Sequence, residues 1–297
     1  MRKWWFPAVF LAAWVVAGFV LFGFGEPRQY RNADQAETAD RIVSLAPDLT
    51  ETLFALGLDE KIVAVTLDSD YPPAAESKPK VGTFWQPDIE AIIAAGPDLV
   101  ISLDFVQQRE LAERLRRIGC NCLTLNIETI DDFFRAVTAI GVATRQQKRA
   151  EELASHIRSS IDRIAAAATG EKVKVLWVVQ REPLRVAGRR TFINEMIELS
   201  GGRNAIGPTL HKYPSIGGEQ VVACRAEVII EPMMVQTDAA GQLGQARRYW
   251  SKYENVPAVA NDRIYVVDGD VVSRLGPRLP EAVETIARCL RPGRFAD

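Results

Sequence analysis

Histidine is almost missing from this chain, with His156 and His211 the only two among 297 residues. A His-based catalytic triad or a multi-histidine metal centre is therefore not expected. Also absent are a phosphate-cradling glycine loop and a G-x-S-x-G elbow, which removes the usual tools of phosphoryl transfer and serine hydrolysis. No basic run stands out and the formal charge is −2, so no nucleic-acid partner is expected, since binding one needs a face that neutralises phosphates. Neither short-period repeats nor low-complexity segments occur. Cysteine is scarce: Cys120, Cys122, Cys224 and Cys289. The C-x-C pair has no His nearby and lies in an alternating strand pattern, so it reads as structural thiols rather than as a soft-metal site.

What is present is a globular composition, 47% hydrophobic and 25% charged, long enough to bury a sizeable core. Residues 4–25 are uncharged and apolar, close to the roughly 20 residues that span hydrocarbon as a helix. Met1-Arg2-Lys3 is the positive flank that stays cytoplasmic, which puts everything after Glu26 outside the membrane. Residues 1–25 are thus a signal peptide or a transmembrane anchor. The run exceeds a typical signal core, yet Gly23 and Gly25 offer small residues for cleavage. No cysteine near its end could take a lipid. Residues 26–40, polar and without periodicity, read as a tether.

From Arg41 the pattern alternates strand and helix. Short apolar runs at 42–45, 62–66, 99–101 and 122–125 predict strands, with helices over 48–56, 88–95 and 107–118 ending at Gly57, Gly96 and Gly119. Residues 130–143 and 146–168 then carry helical periodicity with no strand between them, Leu153, Ile157, Ile161 and Ile164 forming one stripe. Strands at 173–179, 228–230 and 264–267 follow, with helices over 192–199, 240–253 and 278–290. The expected fold class is α/β: two lobes with mostly parallel sheets, 41–143 and 170–297, joined by one backbone helix across 144–169.

Several segments in this order resemble one family. They are Arg41-Ile42-Val43-Ser44-Leu45-Ala46-Pro47 with Thr50-Glu51, Asp70-Tyr71-Pro72-Pro73, and the run from Val81-Gly82-Thr83-Phe84-Trp85-Gln86-Pro87-Asp88 to Ile89-Glu90. Pro97-Asp98-Leu99-Val100, Gly201-Gly202-Arg203-Asn204, Glu219-Gln220-Val221 and Pro277-Arg278 complete the set. The chain from Arg41 to Leu290 resembles the substrate-binding proteins of ABC importers that have a rigid helical backbone and take cobalamin, haem or iron siderophores, nearest to those for cobalamin. The resemblance implies a monomer that is not an enzyme, captures a corrinoid-like metal chelate and delivers it to a permease dimer with its ATPase. No cofactor is implied beyond the ligand. A haem or ferric-siderophore binder is the alternative. A chelatase-like enzyme would need clustered Cys or His ligands, and a membrane-anchored sensor would need a fused signalling module.

The resemblance also implies site residues. Tyr71 and Trp85 follow strands, where α/β sheets meet ligands; they stack on the macrocycle, with Phe84 the substitute for Trp85, or else they plug a lobe surface. Tyr213 takes the place of an aromatic on the opposite lobe. Asp270 and Arg274 match polar cleft residues that hydrogen-bond ligand arms, against a local ion pair. Arg181 and Arg189 would serve an anionic ligand. His211, in the loop 208–214, is either an axial ligand to the bound metal or a solvated residue. His156 belongs to the long helix. Glu90 and Glu219 match glutamates that dock onto permease arginines, one on each lobe. The cysteine that pairs in the family near Gly201 is Ser200 here, which leaves a Cys224–Cys289 bridge as an open option.

Overall fold

A computed structural model describes residues 39–233 and 239–295. The expected signal or anchor segment and nearly all of the tether lie outside the described residues. No helix among the described residues is long and apolar enough to cross a membrane.

The first lobe is built from β1 (Ile42–Ser44), α1 (Pro47–Ala55), β2 (Ile62–Val65), α2 (Ile89–Ala94), β3 (Leu99–Leu103), α3 (Val106–Arg117) and β4 (Cys122–Leu125), followed by α4 (Ile130–Ala143). Its four strands are parallel in the order β2-β1-β3-β4. All three residues of β1 are buried, because a parallel sheet covered on both faces leaves no wet side for a strand to alternate against. Local signals set the helix starts. Asp88 accepts the Glu90 and Ala91 N–H groups ahead of α2, and Thr129 with Asp132 forms a capping box on α4.

The long helix α5 (Gln147–Ala167) is 21 residues, or about 31 Å at 1.5 Å per residue. It is more than a strut between lobes. One face packs on α4 and another on the terminal helix α11 (Leu279–Leu290), and a single hydrophobic core runs from Ile42 and Leu53 through Ile157 and Ile161 to Val228 and Ile286. The lobes are welded by shared burial, so a large hinge motion would have to open this core.

The second lobe contains β5 (Val173–Arg181), β6 (Leu184–Val186), α6 (Phe192–Leu199), β7 (Gly202–Asn204), α7 (Gly218–Cys224), β8 (Val228–Met233), α8 (Ala239–Trp250), α9 (Pro257–Ala260), β9 (Ile264–Asp268) and α10 (Gly269–Val272) before α11. Its strands run β6-β5-β8-β9, with β7 beside β5; all pairs are parallel except β5 with β6. The two short strands, α9 and α10 have too few residues to leave a periodic signal, and the expected helix 240–253 ends at Trp250 and continues as a 3-10 turn. All four cysteines are free thiols. Cys224 and Cys289 belong to different cores. Ser200, buried, donates to the carbonyls of Met196 and Val283 and so ties α6 to α11 by a hydrogen bond. Burial pushes the Cys122 thiol up to about 11 and Cys289 up to about 12, which keeps both protonated and inert.

Candidate ligand-binding cleft

The loops that leave the carboxyl ends of β2 and β3 carry a cluster of rings. Phe84, Trp85 and Phe105 lie with centroids 4.8 to 5.6 Å apart, edge-to-face or tilted as aromatic quadrupoles prefer. Phe84 packs inward on the shared core, whereas Trp85 is 64% exposed, and Leu67 on the loop after β2 and Val106 at the start of α3 are exposed as well. Of the two rings between which the sequence left the stacking role open, Trp85 is the one presented to solvent. Apolar side chains held open at strand ends form a platform that has no use within the fold itself.

The platform is fixed from beneath. Gln108, fully buried, donates to the carbonyls of Leu45 and Phe84 at 2.7 and 3.1 Å and accepts from Leu103 N–H at 2.8 Å. Asp68 accepts the Phe84 N–H at 2.5 Å. The tight loop itself requires Gly82, whose φ is +85° and where a Cβ would come within 2.5 Å of the Gln86 carbonyl oxygen.

An ion-pair network closes the floor between the lobes. Arg278 grips both oxygens of Glu51 at 2.6 and 2.9 Å, and its guanidinium lies 4.1 Å from the ring centroid of Tyr71. Arg274 reaches Asp270 at 2.7 Å, Asp70 at 3.2 Å and Glu51 at 3.5 Å. Glu51, Asp70 and Tyr71 come from the first lobe and Asp270, Arg274 and Arg278 from the second. Tyr71, Asp270 and Arg274, more than two hundred residues apart in part, are therefore neighbours. The local ion pair that the sequence allowed between Asp270 and Arg274 is formed. Asp48, buried next to this network, has its carboxyl pushed up to about 7 by desolvation, with Glu51 adding to the rise and backbone N–H groups and Arg274 opposing it.

Tyr213, on the second lobe, is half-buried against the shared core, its hydroxyl pKa raised by burial and by Glu128. Its loop is drawn against β6 through Gly188 N–H to the Lys212 carbonyl and Val186 N–H to the Pro214 carbonyl. It is held to the first lobe by Lys212 and Glu128 at 2.8 Å. His211 is exposed in the same loop, as His156 is on α5, and Leu210 is 90% exposed. Arg181 is paired inside its own lobe with Glu231, which also accepts Trp250 Nε1–H at 2.6 Å. Arg189 is exposed and donates Nε to the Ile206 carbonyl. Glu90 and Glu219 are exposed in the first turns of α2 and α7, on opposite lobes.

Sequence reasoning assigned no role to Leu67, Phe105, Val106 or Gln108, and quoted Glu51 and Arg278 without one. Gln108 did leave a signal. It occupies the buried stripe of α3 with Leu111, Ala112 and Leu115, and a polar residue on an apolar stripe has to have buried partners.

A welded pair of α/β lobes with an aromatic platform on one side and fixed polar groups at their junction is a solute-binding body. Residues 42–271 match the periplasmic binding protein family, and the chain belongs to that family. It is similar to an uncharacterized ABC transporter substrate-binding lipoprotein of Bacillus subtilis, 28% identical over 96% of this chain and 98% of the relative. Among solved structures it is similar to a possible iron-binding periplasmic solute-binding protein of Staphylococcus epidermidis, with 26% identity, a TM-score of 0.77 and coverage of 86% and 99% of the two chains. The periplasmic vitamin B12 binding protein of Vibrio cholerae follows at 28% identity and TM-score 0.73, covering 86% and 97%. The chain is the substrate-binding component of an ABC importer.

Proposed function

We propose that this protein captures a corrinoid outside the cytoplasmic membrane and delivers it to an ABC permease. The observation that supports this most is the exposed Trp85 on the ring cluster at the strand ends of the first lobe, together with the polar junction of Asp70, Asp270 and Arg274 between the lobes. A flat macrocycle with hydrogen-bonding arms needs both kinds of surface, one to stack on and one to orient its arms. Tyr71 and Tyr213 extend the contact on the two lobes, and the shared core favours docking into a preformed cleft over large closure. Glu90 and Glu219 dock one lobe each onto the permease. Residues 1–25 either direct export or anchor the protein to the membrane.

Isothermal titration of the full-length chain with cyanocobalamin, cobinamide, haem and a ferric siderophore tests the reading. Corrinoids are expected to bind tightly, and Trp85→Ala to weaken them about 10- to 100-fold, the usual cost of truncating a central aromatic anchor. Binding of haem or siderophore alone would move the ligand to the second reading, a haem or ferric-siderophore receptor. That reading draws on the likeness to the iron-binding neighbour and on exposed Arg189.

A further inference from the structure

The lobe junction has more carboxylates than it has cations to satisfy them. Glu51, Asp70 and Asp270 share two guanidiniums, Arg274 and Arg278, which leaves one negative charge in excess. Asp68 and Asp268, both exposed, add two more carboxylates on the loop after β2 and at the end of β9. A further cation, Lys80, donates to the carbonyls of Ser69 and Ala75 and feels the Asp70 charge without a direct ion pair to it. Neither guanidinium can be lent to a ligand cheaply. Pulling Arg278 away would strand Glu51, whose side chain is 3% exposed, and an unpaired buried charge is strongly unfavourable. Arg274 is held from three sides.

A ligand arm entering here meets acceptors. An amide N–H or a cationic group finds Asp70 and Asp270 ready to accept, whereas a carboxylate finds like charge and two guanidiniums already engaged. We infer that the cleft selects metal chelates whose arms are amides or other uncharged or cationic groups, and rejects chelates with carboxylate arms. The inference rests on the corrinoid reading of the same cleft and narrows its substrate class.

The test keeps the ring constant and changes one arm. The full-length chain is titrated with cyanocobalamin and with its b-, d- and e-monocarboxylic acids, in which one amide has become a carboxylate. At least one acid is expected to bind about tenfold more weakly than cyanocobalamin or worse, as a close like-charge contact near a protein surface requires. Asp70→Asn, at an exposed position, and separately Asp270→Asn, should strengthen the acid and weaken cyanocobalamin, so that the ratio of their affinities falls from about tenfold to about threefold or less. A purely structural effect of either substitution would move all four ligands together and would overturn the inference. So would equal or tighter binding of all three acids to the unmodified protein. If cyanocobalamin itself does not bind, the corrinoid reading fails on its own, and ferrichrome, uncharged, is compared with ferric citrate, which carries carboxylates. Preference for ferrichrome upholds the charge selection, preference for citrate overturns it, and an absence of binding to any of these overturns both.

Discussion

Replacing Arg278 with Met should be among the most damaging single changes in this protein. Arg278 makes two hydrogen bonds to a Glu51 side chain that is 3% exposed and is itself only 15% exposed. Removing it leaves Glu51 with Arg274 at 3.5 Å as its remaining ion-pair partner. Breaking a buried pair from one side costs about 3–5 kcal/mol, because the surviving charge has been desolvated without compensation. Glu51→Met should cost a similar amount by stranding Arg278. Replacing both removes the charge together with its partner, and such double replacements are often near neutral, so the double variant should be within about 1–2 kcal/mol of the parent. Urea denaturation followed by far-ultraviolet circular dichroism measures all three, and the shared core predicts one transition for both lobes. At about 2 °C per kcal/mol for a domain near 250 residues, each single variant should lose roughly 6–10 °C in Tm. If Arg278→Met costs under about 1 kcal/mol, or if the double variant costs the sum of the singles, the junction is not a coupled buried pair and the argument fails.

Three further outcomes are expected. Gln108→Leu removes a buried amide from three backbone groups; it should cost about 2–3 kcal/mol and weaken ligand binding together with stability, as loss of the support under Phe84 and Trp85 requires. Asp48 has a folded-state value near 7 against about 3.9 in an unfolded chain. The folded state thus keeps a proton that the unfolded chain releases, and stability should fall as pH rises from about 4 to 7, by at most about 4 kcal/mol from this group. Asp48→Asn should remove that slope, so urea curves of the two proteins should converge below pH 4.5 and separate at pH 8, with the variant the more stable. Glu90→Ala with Glu219→Ala should abolish uptake in cells while titration shows unchanged ligand affinity; electrostatic docking also predicts that permease association weakens with salt.

The fold was legible because its elements announce themselves locally. Buried parallel strands such as Leu99–Leu103 are short apolar runs, and the long helix carries the stripe Leu153, Ile157, Ile161 and Ile164, of which Ile157 and Ile161 are buried and the other two pack partly buried on the same core. β6 (Leu184–Val186) and β7 (Gly202–Asn204) were not legible, since each is three residues with an arginine at its centre and shows neither a period nor the apolar run that marks β1. At the candidate cleft, Tyr71, Trp85, Asp270 and Arg274 were singled out through motif order, not through any pattern of their own. Gln108 was readable as a polar break in an apolar stripe, but its partners were not.

What the sequence determined by itself was the α/β class, the two-lobed order of elements, the long helix and the poverty of catalytic groups, all properties of local composition and periodicity. Tertiary structure alone decided which ring faces solvent at 84–85, that Arg181 is spent on Glu231, and that Glu51 meets Arg278 across 227 positions of chain. The physical reason is that exposure and charge pairing depend on which distant backbone approaches a side chain. That is a property of the packed lobes, and neither hydrophobic period nor residue type encodes it.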